Sequence, residues 1–293
     1  MNSINVDDYL ITSEVHPFTE RSNVKPVVNP QNVVSRFNFT FPLGIGNNQQ
    51  NELLVDEDGD YLIRRKDSKL NLEGSLLIEH TVATTLSLVG QQIWRGALLL
   101  ADFLLHNGSC LLKDKVAVEL GSGTGLSGIV SALFCSEVIC TDLDRGNILK
   151  LIQANARRNL CALGLNAEMV HVEELDFLNK EWNDSLKEKL GNISVVFAAD
   201  VIYDNDLTEA FLDTLCRLLV GYGKQRVAYL AMEKRYVFTT ADLDSVAPCY
   251  EHFLTCLQRC PLWRHATCLP IDFPQYFNYE RGKDLVLWKI EGV

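Results

Sequence analysis

The segment Val116-Ala117-Val118-Glu119-Leu120-Gly121-Ser122-Gly123-Thr124-Gly125 restricts this chain more than any other. Apolar residues at Val116, Val118 and Leu120 predict a buried strand, and three glycines at alternate positions follow it. A glycine lacks Cβ, so the backbone can turn sharply there and come close to a ligand. Leu126 to Phe134 reads as the next helix, with its free N–H groups pointing into the turn. Strand, glycine turn and helix together make a nucleotide-type site at the carboxyl end of a parallel strand.

The rest of the chain is consistent with such a fold. Of its 293 residues 47% are hydrophobic, enough for a large core. The longest apolar run, Ala97 to Leu105, is interrupted by Asp102 and falls short of the roughly 18 residues of a membrane span. Met1 to Asp8 lacks the basic start and apolar block of a secretory signal. Nine cysteines, an odd number without a repeated framework, fit a reducing compartment. The expectation is a soluble intracellular protein, in which the sequons at Asn38 and Asn192 carry no sugar. A net charge of −11 argues against general binding to nucleic acid, which rests on Lys and Arg. It suits a basic partner such as a lysine-rich segment, although charge alone is explained as well by solubility.

Three regions follow from the patterning. Residues 1–30 show no sustained period and read as a flexible N-terminus. Residues 31–89 read as a β-rich extension. It holds a strand over Asn32 to Phe41, a loop over Leu43 to Asn51, and a hairpin turning at Asp56 to Asp60. Residues 90–293 alternate helix and strand. Helices are expected at Trp94 to Leu105, Arg145 to Asn159, Leu207 to Val220 and Leu243 to Leu257. Strands are expected at Lys115 to Leu120, Glu137 to Thr141, Ala167 to Val172, Ile193 to Ala199, Val227 to Met232 and Asp284 to Ile290. The apolar run at Ile193 to Ala199, interrupted only by Ser194, marks a central parallel strand buried on both faces. The fold class is α/β, a Rossmann-like sheet with helices on both faces.

Chemistry in such a sheet belongs at the carboxyl ends of the strands. Asp142 lies about twenty residues past the first glycine, where an acid can accept hydrogen bonds from ribose hydroxyls. Asp144 is the better-placed cap for the following helix, which leaves Asp142 to the sugar. Gly123-Thr124-Gly125-Leu126-Ser127-Gly128 also satisfies the dinucleotide pattern, but it begins two residues too late. Glu119 just before the turn would repel a pyrophosphate and welcome a cation. This favours S-adenosylmethionine, whose sulfur is positive, over NAD.

With these segments in view, the chain resembles methyltransferase family 16 of the seven-β-strand S-adenosylmethionine-dependent methyltransferases. Glu119 to Gly125 looks like the first motif, and Gln91 to Ala97 like the Trp-containing segment. Asp200-Val201-Ile202-Tyr203 matches D-x-x-Y, and Ala231 to Arg235 resembles a late motif. The resemblance covers roughly residues 75 to 290. It implies a seven-stranded, mostly parallel sheet and lysine methylation of a folded non-histone protein. The acceptor it implies is nucleic-acid-binding, and the location nuclear as well as cytoplasmic.

It also implies roles for single residues. Glu119, Gly121 and Gly123 would hold the methionine part of the cofactor, and Asp142 the ribose. Trp94 would pack from the side, and Ala199 would line the site by its backbone. Asp176 and Phe177 would lie near the adenine, where the family often has Trp in place of Phe177. Asp200 and Tyr203 would face the methyl group and the nucleophile. Plainer alternatives exist. Trp94 can be a core aromatic, and Tyr203 can merely precede a helix. Asp200 can be a cap, although Asn205 and Asp206 lie closer to that helix. Glu233 can pair with a basic neighbour.

No metal site is expected. His252, Cys256, Cys260 and His265 lack a C-x-x-C pair, and four-residue spacing arises on any apolar helix face. Neither a G-x-S-x-G elbow nor a Walker loop occurs. Two rival readings are a NAD-dependent oxidoreductase and a non-catalytic S-adenosylmethionine-binding module.

Overall fold

Consecutive apolar residues along the central strands dictate a sheet that must be covered on both faces. In the computed structural model this is what the chain forms. The structure describes residues 10–42, 73–221, 225–239 and 244–293. The expected hairpin at Asp56 to Asp60 and the loop at Leu43 to Asn51 lie outside them. In chain order come β1 (Val33–Thr40), β2 (Glu73–His80), α1 (Arg95–Leu111), β3 (Val116–Leu120), α2 (Leu126–Ser131), β4 (Glu137–Asp142) and α3 (Ile148–Ala162). Then follow β5 (Val170–Glu174), α4 (Asp184–Gly191), β6 (Val195–Ala199), α5 (Asn205–Leu219), β7 (Val227–Glu233), α6 (Pro248–Arg259), β8 (Ala266–Leu269) and β9 (Leu285–Glu291).

Seven of these strands form one sheet in the order β8-β9-β7-β6-β3-β4-β5. Pairing is parallel from β7 through β5, and β9 runs antiparallel to both β7 and β8. Side chains alternate between two cores. Ala117, Val195 and Phe197 face α1, α2 and α3, while Val118, Val196 and Ala198 face α4, α5 and α6. On α5 the spacing of Phe211, Leu215, Leu218 and Leu219 places every one of them in the second core. Each such side chain contributes about 1.5–3 kcal/mol when buried. Among the described residues no helix is long and apolar enough to cross a membrane.

Register aligns the strand ends. Leu120 pairs with Thr141 on one side and Ala198 on the other, and Asp142 pairs with Glu174. The residues that follow, Gly121, Ala199, Asp200, Leu175 and Asp176, therefore collect at one edge of the sheet.

Several expected elements shift. The helix expected from Arg145 begins at Ile148, because Gly146 and Asn147 both have positive φ. Its N-cap position is Asn147, so Asp144 is not the cap. The helix expected from Leu243 begins at Pro248. A residue before proline avoids the helical region, and Asp244–Val246 instead pairs with Val237–Thr239. Strands β2 and β8 and helix α4 were not expected from the sequence.

The described part of the N-terminal region, residues 10–30, is not loose as expected. Ile11–Thr12 pairs with Ala83–Thr84, and Val15 is buried in the first core. Strands β1 and β2 pair antiparallel and share this core through Phe37, Phe39, Leu76 and Ile78. The amide of Asn159 is hydrogen-bonded to Leu77, and that of Asn155 to Glu79, which fastens β2 to α3.

Candidate functional site

The glycine turn is built where β3 meets helix α2. Ser122 N–H donates to the Thr141 carbonyl at 2.8 Å, pinning the turn beside β4. Gly121 has φ +67° and Gly123 φ +56°, conformations that side chains rarely adopt. A Cβ on Gly121 would sit 2.7 Å from Val201 Cγ1, and one on Gly123 would sit 2.8 Å from the Gly90 carbonyl oxygen. The turn therefore leaves a cleft open while touching its neighbours on both sides.

That cleft brings together every residue singled out for the site. Trp94, Glu119, Gly121, Gly123, Asp142, Asp176, Phe177, Ala199, Asp200 and Tyr203 all line it. Four carboxylates face it, from Glu119, Asp142, Asp176 and Asp200, and among the described lining residues Arg145 is the single cation.

Each carboxylate is held by backbone. Asp142 Oδ2 accepts from Gly123 N–H and Oδ1 from Leu143 N–H, both at 2.8 Å. Burial nevertheless raises its pKa to about 6. Glu119 accepts from Gly128 N–H at 3.0 Å, and burial raises it to about 7, with the charge of Asp142 adding to the shift. Asp176 Oδ1 accepts from Leu178 N–H at 2.9 Å.

Asp200 is the most constrained. It is one of three non-glycine residues with positive φ among those described, at +52°. Gly96 N–H donates to its Oδ2 at 2.6 Å and Glu233 N–H to its Oδ1 at 2.9 Å. Gly96 permits this approach, since a Cβ there would lie 2.5 Å from Oδ2. One side chain thus joins the end of β6, the start of α1 and the end of β7. Burial raises its pKa, against the lowering effect of Arg235 and of both N–H donors. Asp200 does not cap α5. Asp204 does, accepting from Leu207 N–H at 2.9 Å, so neither Asn205 nor Asp206 takes that place.

Tyr203 lies at the mouth, 38% exposed, with its phenol pKa raised by burial and by Asp142 and Asp204. Trp94 donates from Nε1 to the Val89 carbonyl at 2.9 Å, and the Arg235 guanidinium lies 4.7 Å from its ring centre. Phe177 packs edge-on against Phe211. Glu233 does not line the cleft. It pairs with Arg95 at 2.8 Å and with Arg235 at 3.7 Å, and both arginines also pair with Glu14. The cleft wall also includes Leu88, Val89, Gly90 and Arg145, which the sequence did not single out for the site, and Gln91, which it gave only as the start of the Trp-containing segment. Gln91 reaches the Gly146 carbonyl 55 residues away at 2.8 Å, a contact without a local signature.

The donor set fits a nucleoside cofactor with a positive centre. Carboxylates outnumber cations, and Asp142 ends the strand next to the turn. A pyrophosphate would meet Glu119 and Asp142 instead of cations.

Comparison with known proteins agrees with this reading. A family model described as lysine methyltransferase matches residues 74–247. Methyltransferase-like protein 22 of Homo sapiens is 35% identical over 255 residues, covering 81% of this chain and 62% of that protein. The Mus musculus protein of the same name is 35% identical over 81% of this chain and 64% of its own length. Protein N-lysine methyltransferase METTL21A of Xenopus tropicalis is 34% identical over 50% of this chain and 62% of its own. The chain thus spans less than two thirds of the length of these relatives.

Proposed function

This chain belongs to the lysine methyltransferase family, and on that premise we propose that it transfers a methyl group from S-adenosylmethionine to the ε-amine of a protein lysine. The acceptor is a non-histone protein with a basic, nucleic-acid-binding segment, met in the nucleus and cytoplasm. The observation that carries the reading is the excess of carboxylates around the glycine turn.

When bound, the cofactor supplies a methyl carbon already activated by positive sulfur, so the protein needs little acid–base power. Glu119, Gly121 and Gly123 hold its methionine part, and Asp142 holds the ribose. Asp176 and Phe177 flank the adenine, and Trp94 and Ala199 form the walls. A free lysine has a pKa near 10.4, so fewer than about one in a thousand is neutral at pH 7. The approaching ammonium meets Asp200 and Tyr203. A carboxylate offers about four lone-pair sites. Two on Asp200 are taken by Gly96 and Glu233 N–H, which leaves the others free for the incoming group in a fixed orientation. The positive charge of the bound cofactor would lower the lysine pKa, so that the proton leaves to water at the cleft mouth. Alignment of this kind contributes up to roughly 7–11 kcal/mol.

Calorimetric titration with S-adenosylhomocysteine and with NAD separates this reading from an oxidoreductase, and binding of NAD alone would end it. Labelled methyl transfer into cell extract, followed by mass spectrometry of the labelled lysine, separates it from a silent binding module. Asp200→Ala is expected to abolish transfer while S-adenosylhomocysteine still binds. Transfer at the wild-type rate would mean that Asp200 does not receive the lysine.

A further inference from the structure

We propose that Glu209, His252 and Cys256 form a binding site for a divalent cation of the zinc class, tying α5 to α6. His252 and Cys256 are four residues apart on α6 and so share one face. Glu209 reaches them from α5. His252 Nε2 lies 3.1 Å from Glu209 Oε1 and 3.4 Å from Cys256 Sγ, and the three ligand atoms are all within 4.8 Å of one another.

Zinc bonds to nitrogen, oxygen and sulfur of about 2.0–2.3 Å make the edges of a tetrahedron about 3.3–3.8 Å long. The two imidazole distances already approach such edges. Closing the Glu209–Cys256 edge takes movement of the glutamate alone, and its side chain is 62% exposed. Imidazole, thiolate and carboxylate together suit zinc rather than magnesium or calcium. An ion pair of His252 with Glu209 needs no thiol beside it, and the thiol is what completes a nitrogen, oxygen and sulfur set. The fourth position is left to water.

The cluster differs from the four residues that the sequence groups together. Neither Cys260 nor His265 is part of the cluster. Binding expels the thiol proton of Cys256. Because α5 begins directly after Tyr203 and its cap Asp204, the cation would fix the helix that follows the cleft mouth.

The reduced full chain, freed of metal, is titrated with Co2+ as a spectroscopic probe. One equivalent is expected, with a thiolate charge-transfer band and a four-coordinate ligand-field pattern, both removed by Zn2+. Cys256→Ser is expected to lose the charge-transfer band, and Cys260→Ser to keep it. Glu209→Gln, at an exposed position, should weaken Co2+ by at least roughly tenfold, a loss that even outer-shell partners can cause. Its metal-free melting temperature should stay unchanged. Zn2+ should raise the melting temperature of the wild type more than that of Glu209→Gln. Absence of the band, its survival in Cys256→Ser, its loss in Cys260→Ser, or equal Zn2+ effects on wild type and Glu209→Gln would each overturn the site.

Discussion

Glu79 and Glu119 are both sealed from solvent, at 0% and 1% exposure, yet they are opposite in character. Glu79, on β2, accepts from the N–H groups of Val27, Val28 and Asn29 and from Asn32 Nδ2, and it pairs with Arg158. Burial pushes its pKa up, but these donors outweigh burial and hold it below the usual value. Glu119, on β3, has Gly128 N–H and nearby serine hydroxyls, and burial dominates, raising it to about 7. The charge that adds to its shift is Asp142, of the same sign. A saturated acid of the first kind ends a folding problem. An acid of the second kind remains short of positive charge, which a cationic ligand supplies.

The contrast breaks most visibly at Glu79. Glu79→Ala leaves its buried N–H donors without an acceptor and Arg158 without its carboxylate partner, and is expected to cost about 3–5 kcal/mol in urea unfolding. A loss under about 1 kcal/mol would mean that the N-terminal segment does not depend on it.

Glu119→Gln keeps an acceptor for Gly128 N–H and removes a charge that is costly to bury. Stability at neutral pH should stay within about 1 kcal/mol of wild type. Affinity for S-adenosylmethionine, measured by calorimetry, should fall by on the order of tenfold, about 1.4 kcal/mol. Unchanged affinity would make Glu119 another structural acid.

A third test lies in pH. Glu119 and Asp142 have folded pKa values of about 7 and about 6, above their ordinary 4.5 and 3.8. Their contribution to stability is fully present below the unfolded values and is lost as pH rises through 6 and 7. Glu79 runs the other way, losing its contribution as pH falls through its depressed pKa. Melting temperatures of ligand-free Glu119→Gln should therefore decline less between pH 5 and 8 than those of wild type. Parallel curves would refute the raised value.

How much of this could be read beforehand follows from the reach of each contact. The turn at Gly121 and Gly123, and Asp142 beside it, are encoded within about twenty residues, and the structure places them together. The doubly covered sheet was legible from the unbroken apolar run at Val195 to Ala199. Strand β2 was not, because Glu79 reads as a solvent-facing acid until residues 27–32 wrap around it. Strand β8 has four residues, none of them buried, and α4 buries only Leu186 and Leu190, so neither shows a period. The clamp at Asp200 depends on partners 104 and 33 positions away. Sequence marked the residue and could not show what holds it.

That clamp has a mechanical corollary. Asp200 accepts from the N–H of Glu233, whose side chain is braced by Arg95 and Arg235, and both arginines pair with Glu14. Glu14 lies 60 residues ahead of the family-wide portion that starts at residue 74. The brace behind Asp200 thus reaches a segment ahead of the stretch that the family model matches. Removing only the residues ahead of 74 would take away that brace while deleting nothing that lines the cleft.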